Sequence, residues 1–127
     1  MRRERTADAV ERESVLSRRI GQVIRLRPEK YAEYKRLHAE AWPEVLATIR
    51  RANIRNYTIY HWGGYLFATF EYVGDDFEAD MAGIADDPVT REWWQRTDPC
   101  QEPVEGTSSG SIEGNWWTTM EELFHTD

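Results

Sequence analysis

A single cysteine, Cys100, stands in this chain of 127 residues, so no internal disulfide can form and a reducing compartment suits it. No apolar run approaches the roughly 20 residues needed to span a bilayer, and the N-terminus lacks the apolar stretch of a secretory signal. The expectation is a cytoplasmic protein with no membrane partner. Positive charge is scarce as well: 16 Lys and Arg against 23 Asp and Glu leave a formal charge of −7, the wrong sign for a surface that meets nucleic-acid phosphates. The one basic cluster, Arg2, Arg3 and Arg5 with Arg18 and Arg19, is interrupted by Glu4, Glu11 and Glu13. Residues 1–18 therefore read as a charged, flexible extension, followed by one domain over 19–127. A glycine-rich phosphate loop is missing too, since Gly63-Gly64 fits a hairpin turn. His61 and His125 have no ligand-like spacing to each other or to His38, and Cys100 has no partner cysteine. No metal and no cofactor are expected.

What the chain does hold is aromatic side chains. Six Trp and six Tyr exceed what a small core needs, and both types concentrate where ligands bind, because each joins an apolar face to a polar handle. Apolar and polar residues alternate from Ile20 to Leu26, which predicts a strand. Pro28 opens a helix, and Tyr34, His38, Ala41, Trp42, Val45 and Ile49 follow at helical spacing. Pro43 lies inside this pattern and should kink or break the helix near Trp42. Asn53 offers a stop. Ile54 to His61 and Tyr65 to Tyr72 read as strands joined through Trp62-Gly63-Gly64, a hairpin. Gly74-Asp75-Asp76 caps a helix from about Phe77 to Ala85, and Asp86-Asp87-Pro88 restarts one through Trp93 and Trp94. Asp98 to Ser111 reads as a long loop. Thr119 to His125 suits strand or helix locally; a strand is preferred, because three strands leave the sheet with too little pairing.

The order strand, helix, strand, strand, helix, strand is the split βαβ, ferredoxin-like arrangement: an α+β fold with a four-stranded antiparallel sheet and helices on one face. Both faces of the hairpin carry apolar groups, with Ile54, Tyr60, Leu66 and Phe70 set against Tyr57, Ile59 and Phe67. Two helices cover only one face, so a second copy on the other predicts a homodimer of the dimeric α+β barrel type.

His38 is the foremost candidate for chemistry. It sits on the apolar stripe one turn after Tyr34 and one turn before Trp42, and imidazole, with an ordinary pKa of about 6.5, suits proton transfer near neutrality. A core histidine bonded to a backbone carbonyl fits the same spacing. Trp93 and Trp94 lie about 100° apart on a helix, so one can face the core and the other a cleft, or both can be core. Tyr57 is equally consistent with either role.

The run Tyr34-Lys35-Arg36-Leu37-His38-Ala39-Glu40-Ala41-Trp42-Pro43-Glu44 resembles the signature of L-rhamnose mutarotases. So do Asn56-Tyr57-Thr58-Ile59-Tyr60, Leu66-Phe67-Ala68 with Glu71, Trp93-Trp94, and Met120-Glu121-Glu122-Leu123-Phe124-His125, in that order from residue 19 onward. The resemblance implies a dimeric ferredoxin-like fold, no cofactor, and interconversion of the α and β anomers of L-rhamnose or a closely related 6-deoxyhexose. It further implies His38 as proton donor and Tyr34, Tyr57, Trp93 and Trp94 as sugar contacts. A non-catalytic sugar-binding module and a dimeric α+β barrel oxygenase are the competing expectations, since such folds host many functions.

Overall fold

The computed structural model describes residues 18–127. The expected N-terminal extension lies outside them but for Arg18, which is the first residue of strand β1 (Arg18–Leu26). Alternation along β1 sends Ile20, Ile24 and Leu26 into the core. A 3₁₀ turn at Pro28–Lys30 leads into helix α1 (Tyr31–Ala39). The helix ends where Pro43 dictates. Trp42 is extended, with φ −71° and ψ 126°, and α2 (Pro43–Arg51) starts afresh with the proline in its first turn, where no amide donor is needed. Asn53 takes the left-handed conformation, φ 66°, and turns the chain into β2 (Ile54–Trp62).

Gly63 and Gly64, with φ of 60° and 84°, make the tight turn to β3 (Tyr65–Tyr72). Helices α3 (Phe77–Asp86) and α4 (Pro88–Thr97) follow, each capped by an aspartate: Asp76 accepts from the Ala79 amide at 3.1 Å, and Asp87 from the Thr90 amide at 2.9 Å. The strands pair antiparallel in the order β2-β3-β1-β4, with β5 also on β1. This is the expected ferredoxin-like α+β order, a curled antiparallel sheet with four helices.

Three expectations change. The first concerns β2. Arg55 pairs with Glu71 and Thr58 with Thr69, so β2 spends one residue more than β3, and Asn56, at φ 52°, forms the bulge. The side-chain alternation therefore flips after Asn56. Ile54, paired with Tyr72, and Ile59, paired with Ala68, face the helices together, where unbroken alternation set them on opposite faces. Tyr60 and Trp62 fall on the other side with Phe67 and Tyr65, and are 61% and 76% exposed.

The second is the stretch from Asp98, which is not all loop. After a 3₁₀ turn at Asp98–Cys100, β4 (Gln101–Glu102) pairs with Leu26 and Arg25 on the free edge of β1. An Arg27 amide bond to the Cys100 carbonyl at 2.8 Å and an Arg27–Glu102 ion pair at 2.6 Å hold it there. The third is the last strand, which shrinks to β5 (Thr118–Thr119), paired with Val23 and Gln22. The Met120 amide still reaches the Gly21 carbonyl at 2.8 Å. Beyond it Leu123 and Phe124 stand 86% and 80% exposed and find no cover among the described residues, so packing there does not fix the strand that the local pattern favoured.

Candidate active site

Between the sheet and the helices lies a cavity of about 1010 Å³, lined by Tyr34, His38, Tyr57, Trp93 and Trp94 among others. These five come from three elements. Tyr34 and His38 stand one turn apart on α1, their rings 4.2 Å between centroids. Trp93, on α4, packs in T-shaped contacts with His38 and with Trp42, ring centroids 5.3 Å apart in each pair. Trp93 is buried, while Trp94 is partly buried against the cluster of Ile20, Phe70 and Ile84. Tyr57 reaches the cavity from β2, stacked on Phe70 at 5.6 Å, because the bulge at Asn56 turned it there. Tyr57 is 40% exposed as a whole, yet burial around its hydroxyl pushes its pKa up to about 12.

The tautomer of His38 follows from its neighbour. Its Nδ1 lies 2.9 Å from the Tyr34 carbonyl oxygen, which only accepts. Nδ1 therefore carries a proton, and in the neutral ring Nε2 keeps its lone pair. Burial lowers the His38 pKa below its ordinary value, with the carbonyl bond pulling the other way. The ring is thus neutral near pH 7, with Nε2 able to accept a proton, the opposite sense from the proton donor that the resemblance implied. Tyr34 moves the opposite way: burial, reinforced by nearby Tyr57, raises its pKa and keeps the phenol protonated.

Sequence reasoning missed Gln101 and Trp116. Gln101 sat in the presumed loop, and Trp116 belonged to no recognisable motif. Both are buried and line the cavity. Trp116 Nε1 donates to Gln101 Oε1 at 2.9 Å, and Gln101 Nε2 donates to the Tyr34 hydroxyl at 2.9 Å. His61, also on the cavity wall, packs on Tyr31 with ring centroids 5.1 Å apart. Among the described residues no three His, Cys, Asp or Glu side chains group as a metal site would need. Cys100 is fully buried beside Glu33, and burial raises its thiol pKa.

The family model described as L-rhamnose mutarotase matches residues 19–126. The chain belongs to that family. An L-rhamnose mutarotase of Lactiplantibacillus plantarum is 31% identical over 109 residues, 86% of this chain and 98% of the relative. Another L-rhamnose mutarotase, of Oceanobacillus iheyensis, is 27% identical over 87% of this chain and 99% of its own length. The crystal structure of the L-rhamnose mutarotase of Formosa agariphila shares the fold, with a TM-score of 0.66 at 20% identity, covering 87% of this chain and 99% of that one. L-Rhamnose mutarotases are isomerases. Membership rather than fold separates this chain from the oxygenases with which such α+β architectures are shared.

Proposed function

We propose that this chain interconverts the α and β anomers of L-rhamnose, or of a closely related 6-deoxyhexose, with His38 in the acid–base role and Tyr34, Tyr57, Trp93 and Trp94 holding the sugar. The observation that carries the reading is the neutral His38 with Nδ1 engaged by a carbonyl and Nε2 left for the cavity. Ring opening needs little else. The anomeric hydroxyl gives its proton to Nε2 as the bond from the anomeric carbon to the ring oxygen breaks, and the ring oxygen takes a proton from an acid. The aldehyde turns its other face, the ring oxygen closes on it, and both protons return. Such positioned transfers supply about 10²–10⁴-fold. Indoles suit the C–H face and methyl group of a 6-deoxysugar, and tyrosines its hydroxyls.

A homodimer belongs to the same reading. The sheet face away from the helices carries Tyr60, Trp62, Tyr65 and Phe67, and Leu123 and Phe124 stand uncovered, an apolar area that a second copy would bury. Among the described residues no helix is long and apolar enough to cross a membrane. The free thiol of Cys100 suits a cytoplasmic setting.

Saturation-transfer NMR on L-rhamnose, with and without the protein and without added metal or nucleotide, tests the activity. Faster exchange between the anomeric signals is expected. Unchanged exchange for L-rhamnose and L-fucose alike would overturn it, and sugar binding without faster exchange would make the chain a binding module.

A further inference from the structure

The hydroxyl of Tyr34 is the end of a buried chain whose direction is fixed by its far end. An indole N–H only donates, so the amide atom that meets Trp116 Nε1 must be the oxygen of Gln101. Its NH₂ then faces Tyr34 and donates, and the phenol oxygen accepts. Gln101 and Tyr34 are both buried, and Trp116 with them. Among the described residues the Tyr34 hydroxyl has no acceptor for its own proton, and the ring borders the cavity beside His38. The phenol proton is thereby aimed at whatever the cavity holds.

Resting on the mutarotase reading, we propose that the Trp116–Gln101 pair holds Tyr34 as a one-way proton donor, making Tyr34 the acid that works opposite the base His38. The base takes the proton of the anomeric hydroxyl while Tyr34 gives its proton to the ring oxygen, and the two sugar oxygens share one carbon as the two side chains share one helix face. An incipient alkoxide is a far stronger base than a phenolate, so a protonated, buried phenol serves, and the Gln101 N–H bond supports the phenolate while the ring is open. On closure the new alcohol returns its proton to Tyr34 and His38 returns the other. Gln101 and Trp116 touch no reacting atom in this scheme; they are positioning residues.

Gln101→Glu reverses the polarity: a carboxylate still accepts from Trp116 but now also accepts the Tyr34 proton. Measured by exchange NMR over a range of L-rhamnose concentrations, kcat should fall about 10-fold or more with KM changed by less than about 3-fold. In a Tyr34→Phe background the same change should alter kcat by less than about 2-fold, because the group it acts through is gone. Trp116→Phe keeps a ring but frees the amide to rotate; it should lower kcat in the same direction, with the loss again absent in Tyr34→Phe. A Gln101→Glu or Trp116→Phe protein with wild-type kcat, a loss confined to KM, or losses that multiply with Tyr34→Phe would overturn the assignment while leaving the mutarotase reading intact. A wild-type protein that does not speed anomer exchange would overturn both.

Discussion

Replacing His38 with asparagine removes Nε2 while leaving an amide N–H near the place of Nδ1, which now donates to the Tyr34 carbonyl at 2.9 Å. That backbone bond can survive the change, and what is lost is the proton acceptor together with part of the edge contact to Trp93 at 5.3 Å. Loss of one positioned acid–base group should cost about 10²-fold or more in kcat, about 3 kcal/mol of barrier. The half-buried ring contributes to packing as well, so a stability loss in the ordinary range for single substitutions, roughly 0.5–3 kcal/mol, is expected beside it. Exchange NMR on the folded fraction separates the two effects, with circular dichroism or calorimetry reporting the melting temperature. A folded, less stable His38→Asn protein that still exchanges anomers near the wild-type rate would refute the reasoning and leave His38 a packing residue.

The depressed pKa of His38 has a sign in pH as well. The unfolded chain takes up this proton near the ordinary value of about 6.5, and the folded chain only at lower pH. The contribution to stability is therefore whole above the ordinary value and is lost as pH falls through the folded one. His38→Asn should flatten that part of the stability profile, and the acid limb of kcat/KM in the wild type should lie below about pH 6.5; a limb above that value contradicts the assignment. Trp93→Ala should cost about 3–5 kcal/mol, since Trp93 is buried against His38 and Trp42, whereas Trp94→Ala should chiefly raise KM for the sugar; equal stability losses at both would argue against this division. Asn56→Val should destabilise by about 1–3 kcal/mol, because a β-branched residue resists the positive φ of the bulge, and Asn56→Gly should be tolerated; urea unfolding distinguishes them. Phe67→Asp, on the open face of the sheet, should convert a dimer of about 30 kDa into the 15.0 kDa chain in light scattering, and a wild type that already runs as the monomer would remove the dimer from the reading.

Much of this protein is written in local chemistry. Pro43 cannot donate to the helix before it, so the stripe from Tyr34 to Ile49 had to break at Trp42. The paired glycines 63 and 64 specify the hairpin, and Asp76 and Asp87-Pro88 specify two helix starts. His38 was legible as a candidate because one turn of helix sets it beside Tyr34, and five motifs in register carried the family. Other features depend on partners distant in sequence. The bulge at Asn56 exists only against β3, yet it decides that Tyr57 turns into the cavity and that Tyr60 takes the opposite sheet face beside Phe67. The free edge of β1 is shared by two short strands from separate segments, which no period-two pattern of two residues can announce. Gln101 lies 67 residues from Tyr34 and 15 from Trp116. Only folding brings a donor-only indole to one end of that amide and a phenol to the other, and so sets which way the proton of Tyr34 points.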